Sequence, residues 1–291
     1  MGHSQAFLQA FLNGLLVGGV YALIASGMAL IFGVMRLVNF AHGAFLMVGT
    51  YLSYYGWTLL RLNPYFAFPV WGAALFFLAV GVYWLLVRRV MGQSDFLQIL
   101  LTEGINLALV GLAQLAFGAD YRQINLPLAN HIVALGSLRF SQGYILSFAV
   151  SGALVLGLRA FLDRTEMGRA IRAVAQNRTV APLMGIRVER VSAVTFGLGV
   201  ACAGVAGALL LPIFWTNPTV GAPYTLKSFV IVVLGGMGSV QGAALGGLLL
   251  GVAEQFTAYT WADRYTEVVN FALFLAVLLF RPQGLFGGKR A

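Results

Sequence analysis

Charge is what this 291-residue sequence has least of: Asp, Glu, Lys and Arg make up 9% of it, against 60% hydrophobic residues. A soluble domain carries about 25% charged residues, so a water-facing fold is excluded, and the mean hydropathy of +0.86 agrees. Cysteine is confined to Cys202, which excludes an internal disulfide framework and a thiolate metal cluster. Cys202 lies in the run GLGVACAGVAGALL and reads as a small packing residue. The histidines, His3, His42 and His131, stand far apart, so a histidine metal site is not expected. There is no H-E-x-x-H motif. The stretch from Gly221 to Ser228 has Leu226 where a phosphate-binding loop needs its second glycine. No Lys or Arg precedes Arg36, and the first apolar run, 7–34, is too long for a signal-peptide core, so a cleavable leader is not expected. No low-complexity linker interrupts the chain, which reads as a single domain, 1–291.

What is present is a series of apolar runs. Those at 66–87, 96–118, 143–161 and 240–258 approach or exceed the ~20 residues a helix needs to cross the hydrocarbon core. They are continuous rather than alternating, which favours helices over a barrel. The net charge of +9 comes from arginines set between these runs: Arg88 and Arg89, then Arg159, Arg164, Arg169, Arg172, Arg178, Arg187 and Arg190, then Arg281, Lys289 and Arg290. That placement is a topogenic signal, not a nucleic-acid surface, and puts those segments in the cytoplasm. The expected fold is all-α: a polytopic membrane helix bundle of about 8–9 spans, N-terminus outside and C-terminus cytoplasmic.

The run 225–234 is too short to cross alone. Beside Gly235, Gly236 and Gly238 it reads as a half-length or broken helix packed in the bundle, a pointer to a transport pathway; a tight surface turn is the alternative. Small residues recur every fourth position, in Gly14, Gly18, Ala22 and Ser26 and again from Gly242 and Gly246, beside Gly247 and Gly251. Such rows let helix backbones approach closely in lipid. The loop 119–142, broken by Pro127 and Gly136, suits a small extracytoplasmic β-hairpin.

The polar segment 162–190 is the most informative. Ala170, Ile171, Val174, Ala175 and Arg178 have helical spacing, and Leu183, Met184 and Ile186 follow around Gly185, a helix stop. The reading is a short helix whose apolar face fits a groove on a partner, against a loop resting on anionic headgroups. Asn39 and His42 lie just inside a span, next to Gly43, where polar groups are expensive and often functional. Glu103, Asn106 and Glu254 lie inside apolar runs, and a proton path through the carboxylates is a weaker reading. Lys227 is expected to snorkel to the outer interface.

Four blocks then carry a resemblance. GLLVGGVYALIASGMALIFGVMRLVNFAHGAFLMVGTYLSYY, RAVAQNRTVAPLMGIRVERVSAVTFGLGVACAGVAGALL, LKSFVIVVLGGMGSVQGAALGGLLLGVAE and LFLAVLLFRPQGLFG stand in order over more than half the chain. Together they resemble branched-chain amino-acid ABC transporter permeases of the LivH type, whose relatives include urea and short-amide permeases. The resemblance implies a subunit of an ATP-driven importer in the bacterial inner membrane rather than an enzyme. It implies a LivM-like second permease, two cytoplasmic ATPases similar to LivF and LivG that bind ATP and Mg, and a periplasmic binding protein. No cofactor is expected in this chain. Coupling to the ATPases is expected from the segment carrying Arg172, Ala173, Ala175, Asn177, Arg178, Leu183, Met184 and Gly185. Alternating access would move a zwitterion along a mostly apolar path with helix ends and a few polar groups for its charges. Asn39, Phe40, His42 and Gly43, with Gly235, Gly236 and Gly238, are the candidates for lining or gating it. A proton-coupled transporter and an intramembrane enzyme are the competing classes.

Overall fold

The computed structural model describes residues 3–281 and 283–285. Helix α1 (His3–Met35) is unbroken for 33 residues, about 50 Å at 1.5 Å per residue. It is followed by α2 (His42–Leu60), α3 (Phe68–Val90), α4 (Asp95–Phe117), α5 (Gln142–Arg164), α6 (Glu166–Gln176), α7 (Val188–Leu210), α8 (Gly221–Gly235), α9 (Val240–Thr260) and α10 (Thr266–Phe280). A π-turn at Tyr83–Val87 lies within α3. Several helices open on the expected caps, with Ser141, Thr165 and Ser239 accepting backbone N–H groups of Gly143, Gly168 and Gly242.

The hairpin read from the loop 119–142 is present: β1 (Ile132–Leu135) pairs antiparallel with β2 (Leu138–Ser141) across a turn at Gly136, φ +63°. It marks one end of the bundle. There Gln9, near the start of α1, exchanges hydrogen bonds with the Arg139 backbone, and Arg122 bridges to Thr216 in the loop before α8. The opposite end holds the last turns of α1 and α5, helix α6 and the α8–α9 connection. The arginines from Arg159 to Arg190 gather there, and Arg88 approaches Glu189 at 4.0 Å. Lys289 and Arg290 lie outside the described residues.

The core forms where backbones touch. A Cβ built on Gly14 would sit 2.6 Å from the Val252 Cα, and one on Gly251 would sit 2.5 Å from the Gly18 Cα. The row Gly14–Gly18–Ala22 on α1 thus meets Gly247 and Gly251 of α9, while Gly242 and Gly246 on the other side of α9 face α8. Helices α2 and α7 cross in the same manner, Gly49 against Gly204. Lipid supplies no hydrophobic drive for helix association, so this close packing is the cohesive term. Among the described residues five helices are long and apolar enough to cross a membrane, six if α8 and α9 count as one broken span. The chain is a multi-pass, all-helical membrane protein.

Candidate functional site: a buried polar centre and a broken helix

Helix α2 does not begin at the end of the bundle. His42 Nε2 lies 3.0 Å from the Ile24 carbonyl oxygen, about three turns before α1 ends at Met35. The connection 36–41 therefore turns back into the interior, with Leu37, Asn39 and Ala41 fully buried and Arg36 at φ +52°. Irregular backbone at this depth survives because protein, not lipid, surrounds it. Asn39 Oδ1 accepts the Ala41 N–H at 3.2 Å, which folds the amide over the first turn of α2. Asn39 Nδ2 and His42 Nδ1 are buried and have no hydrogen-bond partner among the described residues. The Gly43 N–H donates to Thr225 Oγ1 at 2.9 Å, and a Cβ on Gly43 would fall on the Gly221 carbonyl. The first turn of α8 is thereby laid directly on the first turn of α2.

A buried ion pair adjoins this contact. Lys227 Nζ lies 2.8 Å from Glu254 Oε1, and Tyr21 Oη donates to Glu254 Oε2 at 2.8 Å. Lys227 also donates to Tyr21 Oη at 3.0 Å and lies over the Tyr21 ring, while Asn270 Nδ2 donates to Glu254. Tyr21, Lys227, Glu254 and Asn270 thus tie α1, α8, α9 and α10 together, while Thr225, two residues before Lys227 and so on another face of α8, is turned to α2. The expected snorkelling of Lys227 is corrected: its ammonium turns inward because a buried carboxylate is within reach, and an isolated charge at this depth is far costlier than a paired one. Glu254 is likewise buried, 6% exposed. Glu103 accepts from Asn106 Nδ2 at 3.1 Å on α4, away from this centre.

The glycine cluster breaks the chain sharply. Helices α8 and α9 are bent 116° apart at a break of at most four residues, with Gly236 at φ +101° and Gly238 at φ +88°, conformations L side chains rarely adopt. Gly235 packs on Gly242, and Gly238 on Gly33 of α1. Beside the break two adjoining pockets, of about 210 and 570 Å³, share Gly33, Arg172, Ala175 and Gly238. The structure thus brings Gly238 together with Arg172 and Ala175, and leaves Asn39, His42 and Gly43 separately buried at the start of α2. Phe40 is half-buried.

The 162–190 segment departs from expectation in two respects. Helix α6 ends at Gln176, before Arg178, because Asn177 Oδ1 accepts the N–H groups of Thr179 and Val180 and turns the chain. Its apolar face is covered by its own chain: Ile171 and Val174 are each 1% exposed. Arg172 is turned onto α5, bonding Asp163 Oδ1 at 2.9 Å and the Leu162 carbonyl. The outward apolar surface comes instead from the short 3-10 turn Ala181–Met184, where Leu183 is 83% and Met184 77% exposed, closed by Gly185 at φ +77°. Ala173 and Arg178 are half-buried, and Ala175 and Asn177 exposed.

Residues 10–278 match the family described as the branched-chain amino acid transport system / permease component. The chain is 35% identical to the high-affinity branched-chain amino acid transport system permease protein BraD of Pseudomonas aeruginosa, covering 97% of this chain and 96% of BraD. It is 34% identical to LivH of Escherichia coli K12, again covering 97% of this chain and 96% of the relative. The chain belongs to this permease family. Its fold is similar to that of PsaBC from Streptococcus pneumoniae in complex with Fab, with a TM-score of 0.52 at 13% identity over 95% of this chain and 92% of that one. Members of the family are membrane components of transporters, not enzymes. In this permease the helical runs, the broken helix and the basic end were legible in the sequence. The partners Tyr21, Thr225 and Asn270 were not, because each is an unremarkable residue in an apolar run until tertiary packing supplies its neighbour.

Proposed function

We propose that this permease is one subunit of an ATP-driven importer for branched-chain and related hydrophobic amino acids in a bacterial inner membrane, working by alternating access. In this reading its N-terminus is outside and its C-terminus cytoplasmic, with nine passes when α8 and α9 are counted separately. A LivM-like permease completes the path, two ATPases similar to LivF and LivG bind ATP and Mg on the cytoplasmic side, and a periplasmic binding protein delivers the substrate. The observation that carries the reading is the shared pocket at the basic end: α6, the root of the exposed 181–184 turn, lines the same cavity as the glycine break. A pull on that turn would reach the break by way of α1, whose Gly33 packs on Gly238, and α8 rests on α2.

An exposed apolar turn flanked by arginines suits protein docking better than solvent. Segment 162–190 is therefore the coupling region, with Leu183 and Met184 as its contacts and Arg172 as the strap that holds α6 to α5. Asn39, Phe40, His42 and Gly43, with the hinge at Gly235, Gly236 and Gly238, line or gate the path. The test is co-purification. Leu183→Glu with Met184→Glu should release the ATPases while the chain still inserts and holds the second permease. ATPases that stay bound to this double variant would refute the docking assignment.

A further inference from the structure

We propose that the first turn of α2 is the station for the charged ends of an amino-acid zwitterion, with Asn39 Nδ2 serving the carboxylate and His42 Nδ1 the ammonium. The proposal rests on the importer reading and deepens it. A zwitterion crossing lipid depth needs a donor for one end and an acceptor for the other, because each unpaired charge there is strongly disfavoured. The start of α2 holds one of each. Asn39 Oδ1 is engaged by the Ala41 N–H, and its amide nitrogen, a pure donor, is buried and unpartnered among the described residues. His42 Nε2 faces the Ile24 carbonyl, which only accepts, so Nε2 carries the ring proton. A neutral imidazole then leaves Nδ1 as a bare acceptor, and it too is buried without a partner among the described residues. The positive end of the α2 dipole lies at the same point and favours a carboxylate.

Lys227 and Glu254 have the right signs for a zwitterion, but they already satisfy one another, with Tyr21 and Asn270 completing the set. The start of α2 differs in being covered by the first turn of another helix. Thr225 Oγ1 takes the Gly43 N–H, and Gly221 lies on Gly43. Both belong to the first turn of α8, whose far end is the glycine break. Swinging α8 about Gly236 and Gly238 would lift Thr225 away and free the Gly43 N–H as a second donor for the carboxylate. Thr225 then acts as the resting substitute for the ligand oxygen.

The experiment uses proteoliposomes holding the complete complex. Asn39→Leu and His42→Leu should each cut ATP-driven leucine uptake by roughly tenfold or more, the size of one lost hydrogen bond to a charged group, while the complex still assembles. His42→Gln, whose side-chain oxygen restores an acceptor, should recover much of the loss. In a Cys202→Ser background, thiol labelling of Phe40→Cys in the complex without binding protein should be slowed by millimolar leucine. Isoamylamine and 4-methylpentanoate, which each lack one charged end, should leave it unchanged. Normal uptake by Asn39→Leu, or no leucine protection at Phe40→Cys, would overturn the station and leave the importer reading standing. A wild-type complex that takes up no leucine with ATP would overturn that reading itself. Should Asn39→Leu fail to assemble, the protection measurement decides alone.

Discussion

Helices α1 and α3 are equally apolar, yet 83% of the most apolar stretch of α1 is buried within the chain and only 28% of that of α3. The same split separates α7, 78% buried, from α4 and α5, each 22%. In water, the more hydrophobic segment would take the interior. Here hydropathy does not discriminate, because lipid accepts Leu as readily as a protein core does. What sorts the helices is the row of small residues that lets backbones touch, together with the polar side chains that lipid would reject. The core of this permease is therefore set by its small residues and admits polar side chains that a lipid-facing surface would exclude.

The sharpest way to break this contrast is to add bulk where backbones meet. Gly251→Leu should destabilise by more than about 5 kcal/mol, so that no folded protein accumulates; a normal gel-filtration peak in detergent would contradict the packing account. Next comes Lys227→Met, which leaves the buried Glu254 carboxylate with the neutral donors Tyr21 and Asn270 but no cation and should cost about 3–5 kcal/mol in detergent unfolding. Adding Glu254→Gln removes the stranded charge and should restore part of the loss. Gly236→Val should cost about 1–3 kcal/mol through its backbone conformation, and should abolish uptake while expression persists. Unchanged uptake would reduce the break to a surface turn. Smallest of all, Leu115→Ala on the outer face of α4, where Leu115 is 87% exposed, should stay within about 0.5 kcal/mol. A larger loss would mean that α4 has a partner helix on that face.

Much of this was open to reading from the chain. The apolar runs located most helices, Pro127 preceded the hairpin and Gly136 marked its turn, and the glycines after 234 marked the broken helix. Three features were not readable, each for a physical reason. Lys227 and Glu254 sit on separate arms of the broken helix, and nothing local says that the fold brings them together. Amphipathicity in α6 identified an apolar face without saying what covers it, and its own bundle does. The sequence sets Asn39 and His42 just inside a span, but does not show that 36–41 is an irregular connection turned back beside Ile24, because depth follows from where α1 ends and not from the connecting residues. Of the candidate site, residue identity was legible at Asn39 and His42, and their surroundings were not.

The deep start of α2 bears on how the protein is made. By length and composition α2 is absent from the helices that would cross a membrane, so it has little tendency to leave the translocon for lipid by itself. Its stabilising neighbours, Gly204 on α7 and Gly221 and Thr225 on α8, are synthesised much later. Until they arrive, α2 should linger beside α1 or the insertion machinery as an unfinished hairpin. Biogenesis would then close around this helix last, and truncations ending before α8 should be cleared by membrane quality control even though five apolar spans are already in place.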